Sequence, residues 1–299
     1  MYDWCRDRYN KAMNLIKNCS VLIPYYCKPE SISNVLTAIV DFKEELNPWK
    51  LCEILVLLDG SPLPEQELPP ITRCITLEKN QGLSNARNVL LKECKGDFII
   101  FLDADAVLMK GSFASIVQHW DGKSLIAGAE YRSPETGLVN KFRRYFWIQT
   151  QGYQRTPEAP YFFGIAFAAS REILRKVGEF DRKMGNYGED IEYSLRLKNM
   201  GHNIQYEPDF KVFHLRQDSL LSLTKLIYNH SKSQILAHQM HQCSIIEIVW
   251  NSFIWVFVAS GSALKTHKSV PLFCLATVLC FWAFSVKFSV GLVGSVRRK

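Results

Sequence analysis

Two carboxylates stand two residues apart in Asp103-Ala104-Asp105, directly after the apolar run Phe98–Leu102. Side chains spaced this way at a strand end can converge on one hard cation. A cation held there can bridge two phosphates and stabilise a departing diphosphate. Read alone, the triplet is equally an acidic turn, but the preceding strand aims both groups at the edge where such sheets bind ligands. A second acidic pair, Glu189-Asp190, follows Gly188 and opens a helical pattern that runs to Met200. A carboxylate there serves as a general base toward a hydroxyl, or simply as a partner of the helix N-terminus. His214 closes the short apolar run Lys211–Phe213. Its imidazole can complete a metal site with Asp105, or sit half-buried with no such role.

Asp59-Gly60-Ser61 also follows an apolar run, Glu53–Leu58. An exposed carboxylate at that point would accept hydrogen bonds from the N–H of a base or from a ribose hydroxyl; a buried one would cap a turn. In Asn80-Gln81-Gly82-Leu83-Ser84-Asn85-Ala86-Arg87-Asn88, Gly82 makes a turn and a helix begins. Arg87 then lies one turn inside the helix, where a guanidinium can reach a diphosphate or can lie on the surface. His230, His238 and His241 read as a polar helix face, because no further ligand type accompanies them.

Buried strands are expected at Cys19–Tyr26, Glu53–Leu58, Thr72–Leu77, Asp97–Leu102 and Leu125–Tyr131, and helices at Ser31–Leu46, Leu83–Cys94 and Lys110–Trp120. This alternation predicts an α/β fold with a mostly parallel central sheet flanked by helices. Asp59 and Asp103 fall at carboxyl ends of strands. The second half is less regular. Leu138–Thr150 is basic and aromatic, Asn203–Tyr206 and Lys211–Phe213 read as short strands, and Ser219–His241 as a long helix.

With 299 residues, 47% hydrophobic and 22% charged, the chain is a folded protein with room for one large domain and an appendage. The net charge of +7 suits a polyanionic ligand or an anionic membrane. No dense Lys/Arg block, zinc-finger spacing or RNP-like motif is present, so nucleic acid is not an expected partner. Nine scattered cysteines without a CxxC pair fit a reducing compartment better than a disulfide framework. The first eighteen residues have no apolar signal-peptide core, so the catalytic part is expected to stay on the cytoplasmic side. The tail is different. Ile245–Leu264 and Val270–Val286 are almost wholly apolar, with Lys265-Thr266-His267-Lys268 between them and Arg297-Arg298-Lys299 as a basic stop. They read as C-terminal apolar helices forming a membrane hairpin, with interfacial helices or a soluble helical lid as the alternatives. The expected organisation is an arm at 1–18, a catalytic domain at 19–243 and a membrane-associated helical hairpin at 244–299.

Taken in order, the motifs IPYY, LLDGS, NQGLSNARN, FLDADA, FFGIAFAASRE, GEDIEYSLRLKNMG and VFHL resemble the inverting family-2 glycosyltransferases of the GT-A fold, over about residues 19–240. The resemblance implies a role for each matching position. Pro24, Asp59, Arg87 and Asp103 fall at donor-binding positions, Asp59 toward the nucleobase and Asp103 toward ribose and sugar. Asp105 is the metal-binding carboxylate of the DxD pair, and His214 is similar to a late histidine that reaches the same metal. Asp190 corresponds to the catalytic base and Glu189 to its neighbour in the acceptor site, which Gly164 also lines. The implied cofactor is Mg²⁺ or Mn²⁺. The implied partners are a nucleotide-sugar donor, UDP-sugar favoured, a glycan or lipid-linked acceptor, and a membrane.

Three features depart from the family pattern. Leu58-Asp59 keeps one carboxylate where two are usual before Gly-Ser. No Q-x-x-R-W occurs, which argues against a processive polymerising enzyme. Cys27-Lys28 stands where an Asn-rich turn often follows the first strand. An alternative acceptor is a polyprenyl phosphate, with Lys141, Arg143 and Arg144 binding its phosphate and less need for a base. A nucleotidyltransferase is disfavoured because PYYCKPES lacks the glycine-rich, Arg-bearing loop. A non-catalytic binding protein is disfavoured by the retained carboxylates.

Overall fold

In the computed structural model, residues 18–27, 32–62, 67–132 and 136–296 are described. The expected N-terminal arm and the basic stop at 297–299 lie outside them, apart from Asn18, which begins the first strand. The strands are β1 (Asn18–Tyr25), β2 (Lys50–Asp59), β3 (Thr72–Leu77), β4 (Phe98–Leu102), β5 (Ala106–Leu108), β6 (Leu125–Arg132), β7 (Ala166–Ser170) and β8 (Ile204–His214). They form one sheet in the order β3-β2-β1-β4-β7-β6-β8-β5. The helices are α1 (Ile32–Phe42), α2 (Leu83–Glu93), α3 (Ser112–His119), α4 (Gly137–Phe146), α5 (Arg171–Val177), α6 (Glu189–Asn199), α7 (Leu220–Met240), α8 (Ile246–Lys265) and α9 (Val270–Val296).

The sheet is mixed. β1 pairs in parallel with β2 and β4, β2 with β3, and β6 with β8. β7 runs antiparallel to β4 and β6, and β5 antiparallel to β8. The parallel half follows the expected strands, whose continuous apolar runs are covered on both faces. β4 is buried at every residue. Trp49 and Trp120 pack on its first residue, Phe98, each ring centre 4.8 Å away.

Two features of the second half differ from the sequence reading. The segments Asn203–Tyr206 and Lys211–Phe213 belong to one strand, β8. Its register against β6 shifts between Ala127 and Ala129, opposite the Pro208 region. Proline has no N–H for the ladder, so the strand bulges there and its hydrophobic pattern breaks. The basic, aromatic stretch after Leu138 is helix α4, with Phe142, Arg143 and Phe146 buried.

The chain divides into two compact units. The first comprises residues 1–132 and 149–215 and contains the whole sheet. The second comprises 133–148 and 216–299, with helices α4, α7, α8 and α9. α8 and α9 are long and apolar enough to cross a membrane.

Candidate active site

The donor, acceptor, metal and catalytic candidates fall in the first unit, whereas Lys141, Arg143 and Arg144 fall in the second. β2 ends at Asp59, and Gly60 turns the chain with φ +69°. A Cβ on Gly60 would lie 2.3 Å from the Asn80 nitrogen, so only glycine permits this approach. The turn brings the Asp59 carboxylate to the loop before α2, where it accepts the N–H of Gln81 at 2.7 Å and of Gly82 at 3.0 Å. The exposed carboxylate considered from sequence is therefore a buried one. It holds the Asn80–Gly82 loop in place. Pro24, partly buried near the end of β1, pairs with Leu57 in the adjacent strand.

Arg87 is not the surface arginine that the sequence also allowed. It is 1% exposed. Nη1 donates to Glu189 Oε1 at 2.5 Å, and Nη2 donates to the Gly164 carbonyl at 2.8 Å and lies 3.5 Å from Asp103 Oδ1. The guanidinium carbon sits 5.4 Å from the ring centres of both Phe167 and Phe180. A planar fork with several donors suits this bridging. One guanidinium thus joins α2, the strand-end aspartate, the loop before β7 and the first turn of α6.

Gly164 makes the crossing possible. An added Cβ would meet Arg87 Nη2 at 2.6 Å. The Gly164 N–H donates to Asp190 Oδ2 at 3.0 Å, while Asp190 Oδ1 accepts the Ile191 N–H at 2.9 Å. Gly188, with φ +77°, sets the start of α6 so that Glu189 and Asp190 both turn inward. Burial raises the pKa of Asp190, opposed chiefly by Arg87 and the Gly164 N–H. Burial and the neighbouring Asp190 raise that of Glu189, again opposed by Arg87.

Asp103, Ala104 and Asp105 form the short link between β4 and β5. The Asp103 N–H donates to the Ile165 carbonyl, and its own carbonyl accepts from Ala106. Its carboxyl is pushed up to about 6 by desolvation, with Asp105 adding and Arg87 opposing. The β5–β8 register sets Ala106 opposite His214. That places Asp105 Oδ1 3.4 Å from His214 Nε2, while His214 Nδ1 lies 3.4 Å from Glu130 Oε1. Burial lowers the His214 pKa, but the two carboxylates outweigh it and the net shift is upward.

Glu130 was not foreseen. It is 1% exposed in β6, and its other oxygen accepts the Gln149 N–H at 3.1 Å. An acid directly after the small, apolar LIAGA was the available signal. A carboxylate behind one imidazole nitrogen fixes the ring and makes the other nitrogen a better ligand. Among the described residues, no three His, Cys, Asp or Glu side chains form a complete metal cage. An oxygen donor, an oriented imidazole and a surplus of nearby carboxylates over Arg87 nevertheless suit an ion that takes its remaining ligands from phosphate and water. Asp103, Asp105, Glu130, Glu189 and Asp190 supply that surplus.

The glycosyl transferase family 2 model matches residues 20–178. The pre-mycofactocin glycosyltransferase of Mycobacterium tuberculosis is 24% identical over 235 residues, covering 73% of this chain and 50% of that protein. The chain spans about half the length of the curated relatives it matches. Among solved structures, the mannosyltransferase PcManGT from Pyrobaculum calidifontis, in complex with GDP-Man and Mn²⁺, superposes with a TM-score of 0.63 at 14% identity over 97% of this chain and 93% of that one. GalNAc-T7 with UDP, GalNAc and Mn²⁺ gives 0.55 at 16% identity, over 84% and 52%. The mixed sheet with its flanking helices is thus a GT-A fold, and the chain belongs to glycosyl transferase family 2.

Proposed function

We propose that this chain transfers a sugar from a nucleotide-sugar donor to a hydroxyl of a glycan or lipid-linked acceptor, with inversion at the anomeric carbon. Family membership supports the reaction class, and the binding of UDP or GDP-Man by the structural neighbours supports a nucleotide diphosphate as leaving group. The observation that carries the reading is the convergence of Asp190, Glu189, Arg87 and Asp103 through one buried guanidinium.

Asp105 and His214 would hold the divalent cation, Mg²⁺ or Mn²⁺, with Glu130 orienting the imidazole. When bound, that ion neutralises charge developing on the departing diphosphate. Asp103 would face the ribose and donor sugar. Asp59 shapes the nucleobase wall by fixing the Asn80–Gly82 loop. Asp190 takes the proton from the acceptor hydroxyl, whose oxygen bonds the anomeric carbon as the bond to the diphosphate oxygen breaks on the opposite side. Its raised pKa makes it a stronger base than an ordinary carboxylate. Glu189 and the Gly164 backbone line the acceptor side. The polyprenyl-phosphate alternative is weakened for one of its residues, because Arg143 is buried with Nε 3.6 Å from Asp218.

The test is donor turnover with and without chelator. Mn²⁺ or Mg²⁺ should restore what chelation removes in the wild type and not in Asp105→Ala. Undiminished activity in excess chelator refutes the metal assignment.

A further inference from the structure

Among the described residues, the second unit holds four helices whose contacts fix their mutual order. α8 and α9 are antiparallel. Lys287 Nζ donates to Ser252 Oγ at 2.9 Å, the Ser260 and Thr277 hydroxyls meet at 2.8 Å, and Phe253 lies 5.4 Å from Phe284. The turn between them packs on α4, where the His267 ring stacks on Tyr145 with centroids 3.9 Å apart. α4 also anchors the start of α7. The Asp218 N–H donates to Asn140 Oδ1 at 2.8 Å, and Arg143 lies beside the Asp218 carboxylate. From that shared end α7 and α9 run in the same direction. Tyr228 stacks on Trp282 with centroids 6.4 Å apart. Further along, His238 is held below its ordinary pKa by burial and then by the charges of His241 and Lys287.

This order conflicts with a simple spanning hairpin. α7 has 21 residues, about 30 Å at 1.5 Å per residue, and lies against the middle of α9, with Tyr228 at Trp282 and His238 near Lys287. It exposes Lys225 and Lys232 along its length. A bilayer crossed by α9 would have to take both ammonium groups with it, at high cost. Yet α8 and α9 are far from water-compatible. Trp250, Phe257, Val278 and Phe281 are each more than half exposed. Beside these faces, Lys265 and Lys268 are exposed in the turn that packs on α4, and Lys141 is exposed on α4 itself. By composition both helices could cross a bilayer, but packed in this bundle they turn apolar sides outward with lysines at the turn beside α4, an arrangement that suits the headgroup boundary of an anionic bilayer.

We propose that α8 and α9 lie in the plane of an anionic lipid bilayer, their exposed apolar faces among the acyl chains and α7 in water, with neither helix crossing. Thr266 and Gln242 flank α8 at its two ends. Any arrangement in which α8 spans must put them on opposite faces of the membrane.

The experiment uses the full chain in host membranes, with exposed native thiols changed to serine and single substitutions Thr266→Cys, Gln242→Cys or Lys232→Cys. A membrane-impermeant maleimide is applied to sealed spheroplasts and to inside-out vesicles. All three positions should react from the same face. Reaction of Thr266→Cys and Gln242→Cys from opposite faces overturns the proposal. Protease sites inserted after Thr266 and after Gln242 give the same discrimination without thiol changes. Purified chain should also bind vesicles of phosphatidylcholine with phosphatidylglycerol more tightly than phosphatidylcholine alone. Lys265→Glu with Lys268→Glu should weaken that binding by roughly fivefold or more per lysine. Absence of vesicle binding, or no response to the lysine changes, contradicts the lipid partner.

Discussion

Arg87 Nη1 and Glu189 Oε1 lie 2.5 Å apart, and through this one bond helix α2 is tied to the first turn of α6. Both side chains are almost fully buried, at 1% and 5% exposure. A buried carboxylate with its partner removed has no water to turn to, so the pair is far more costly to break than to keep. Because the guanidinium also holds the Gly164 carbonyl and approaches Asp103, loss of the pair disturbs the acceptor side and the donor side together.

Arg87→Met should therefore destabilise the fold by about 3–5 kcal/mol, the scale for breaking a buried pair. Urea unfolding of both proteins measures it. Arg87→Lys keeps the charge but cannot bridge the same oxygens in one plane, and should recover part of the stability with little of the activity. Wild-type stability in Arg87→Met would show that the pair contributes nothing.

Gly164→Ala places a methyl group 2.6 Å from Arg87 Nη2, at a position whose φ does not require glycine. The guanidinium must shift, and its carboxylates with it. Displacements of this order can cost about 10²-fold in rate. The expected result is a fall in kcat together with weakened donor binding, because Asp103 moves with the guanidinium, read from steady-state kinetics and donor titration.

Asp190→Asn keeps the shape of the side chain and removes the basic oxygen. A loss of roughly 10²–10⁴ in kcat is expected, with donor binding preserved. The pH profile provides a second readout. A base must be ionised, so activity falls as pH falls through its pKa. Burial raises that pKa, which sets the acid limb above the ordinary aspartate value of about 4. Residual turnover of Asp190→Asn should lack this limb. An unchanged limb in the variant assigns the titration elsewhere.

Glu130→Gln retains a hydrogen-bonding side chain behind His214 but removes the charge that orients it. Partners of this kind typically change metal affinity or activity by about 10–100-fold. The Mn²⁺ concentration giving half-maximal activity should rise by that order, and His214→Ala should raise it at least as far.

Much of the first unit was legible because its strands are uninterrupted apolar runs with turn residues at their ends. Asp59, Asp103 and Asp105 could be placed at strand ends for that reason. The burial of Arg87 was not legible, since a helical arginine one turn from a glycine reads as surface until Gly164, 77 residues away, supplies the space. Glu130 was hidden because its partner, His214, comes from a strand distant in sequence. β8 was split in the reading by Pro208, where the pattern breaks but the strand continues past a bulge. The apolar tail was readable as membrane-seeking by length. The packing of its turn on α4 through the His267–Tyr145 stack is a contact that no local pattern encodes.

Nucleotide release from a panel of UDP- and GDP-sugars tests the central claim most directly. Purified full-length chain with Mn²⁺ should release the nucleoside diphosphate from at least one donor. The release should quicken with an acceptor extract and be lost in Asp105→Ala and Asp190→Asn. If no donor in the panel binds or is turned over, or if both variants release nucleotide at the wild-type rate, the account of this site as a glycosyltransferase centre is wrong.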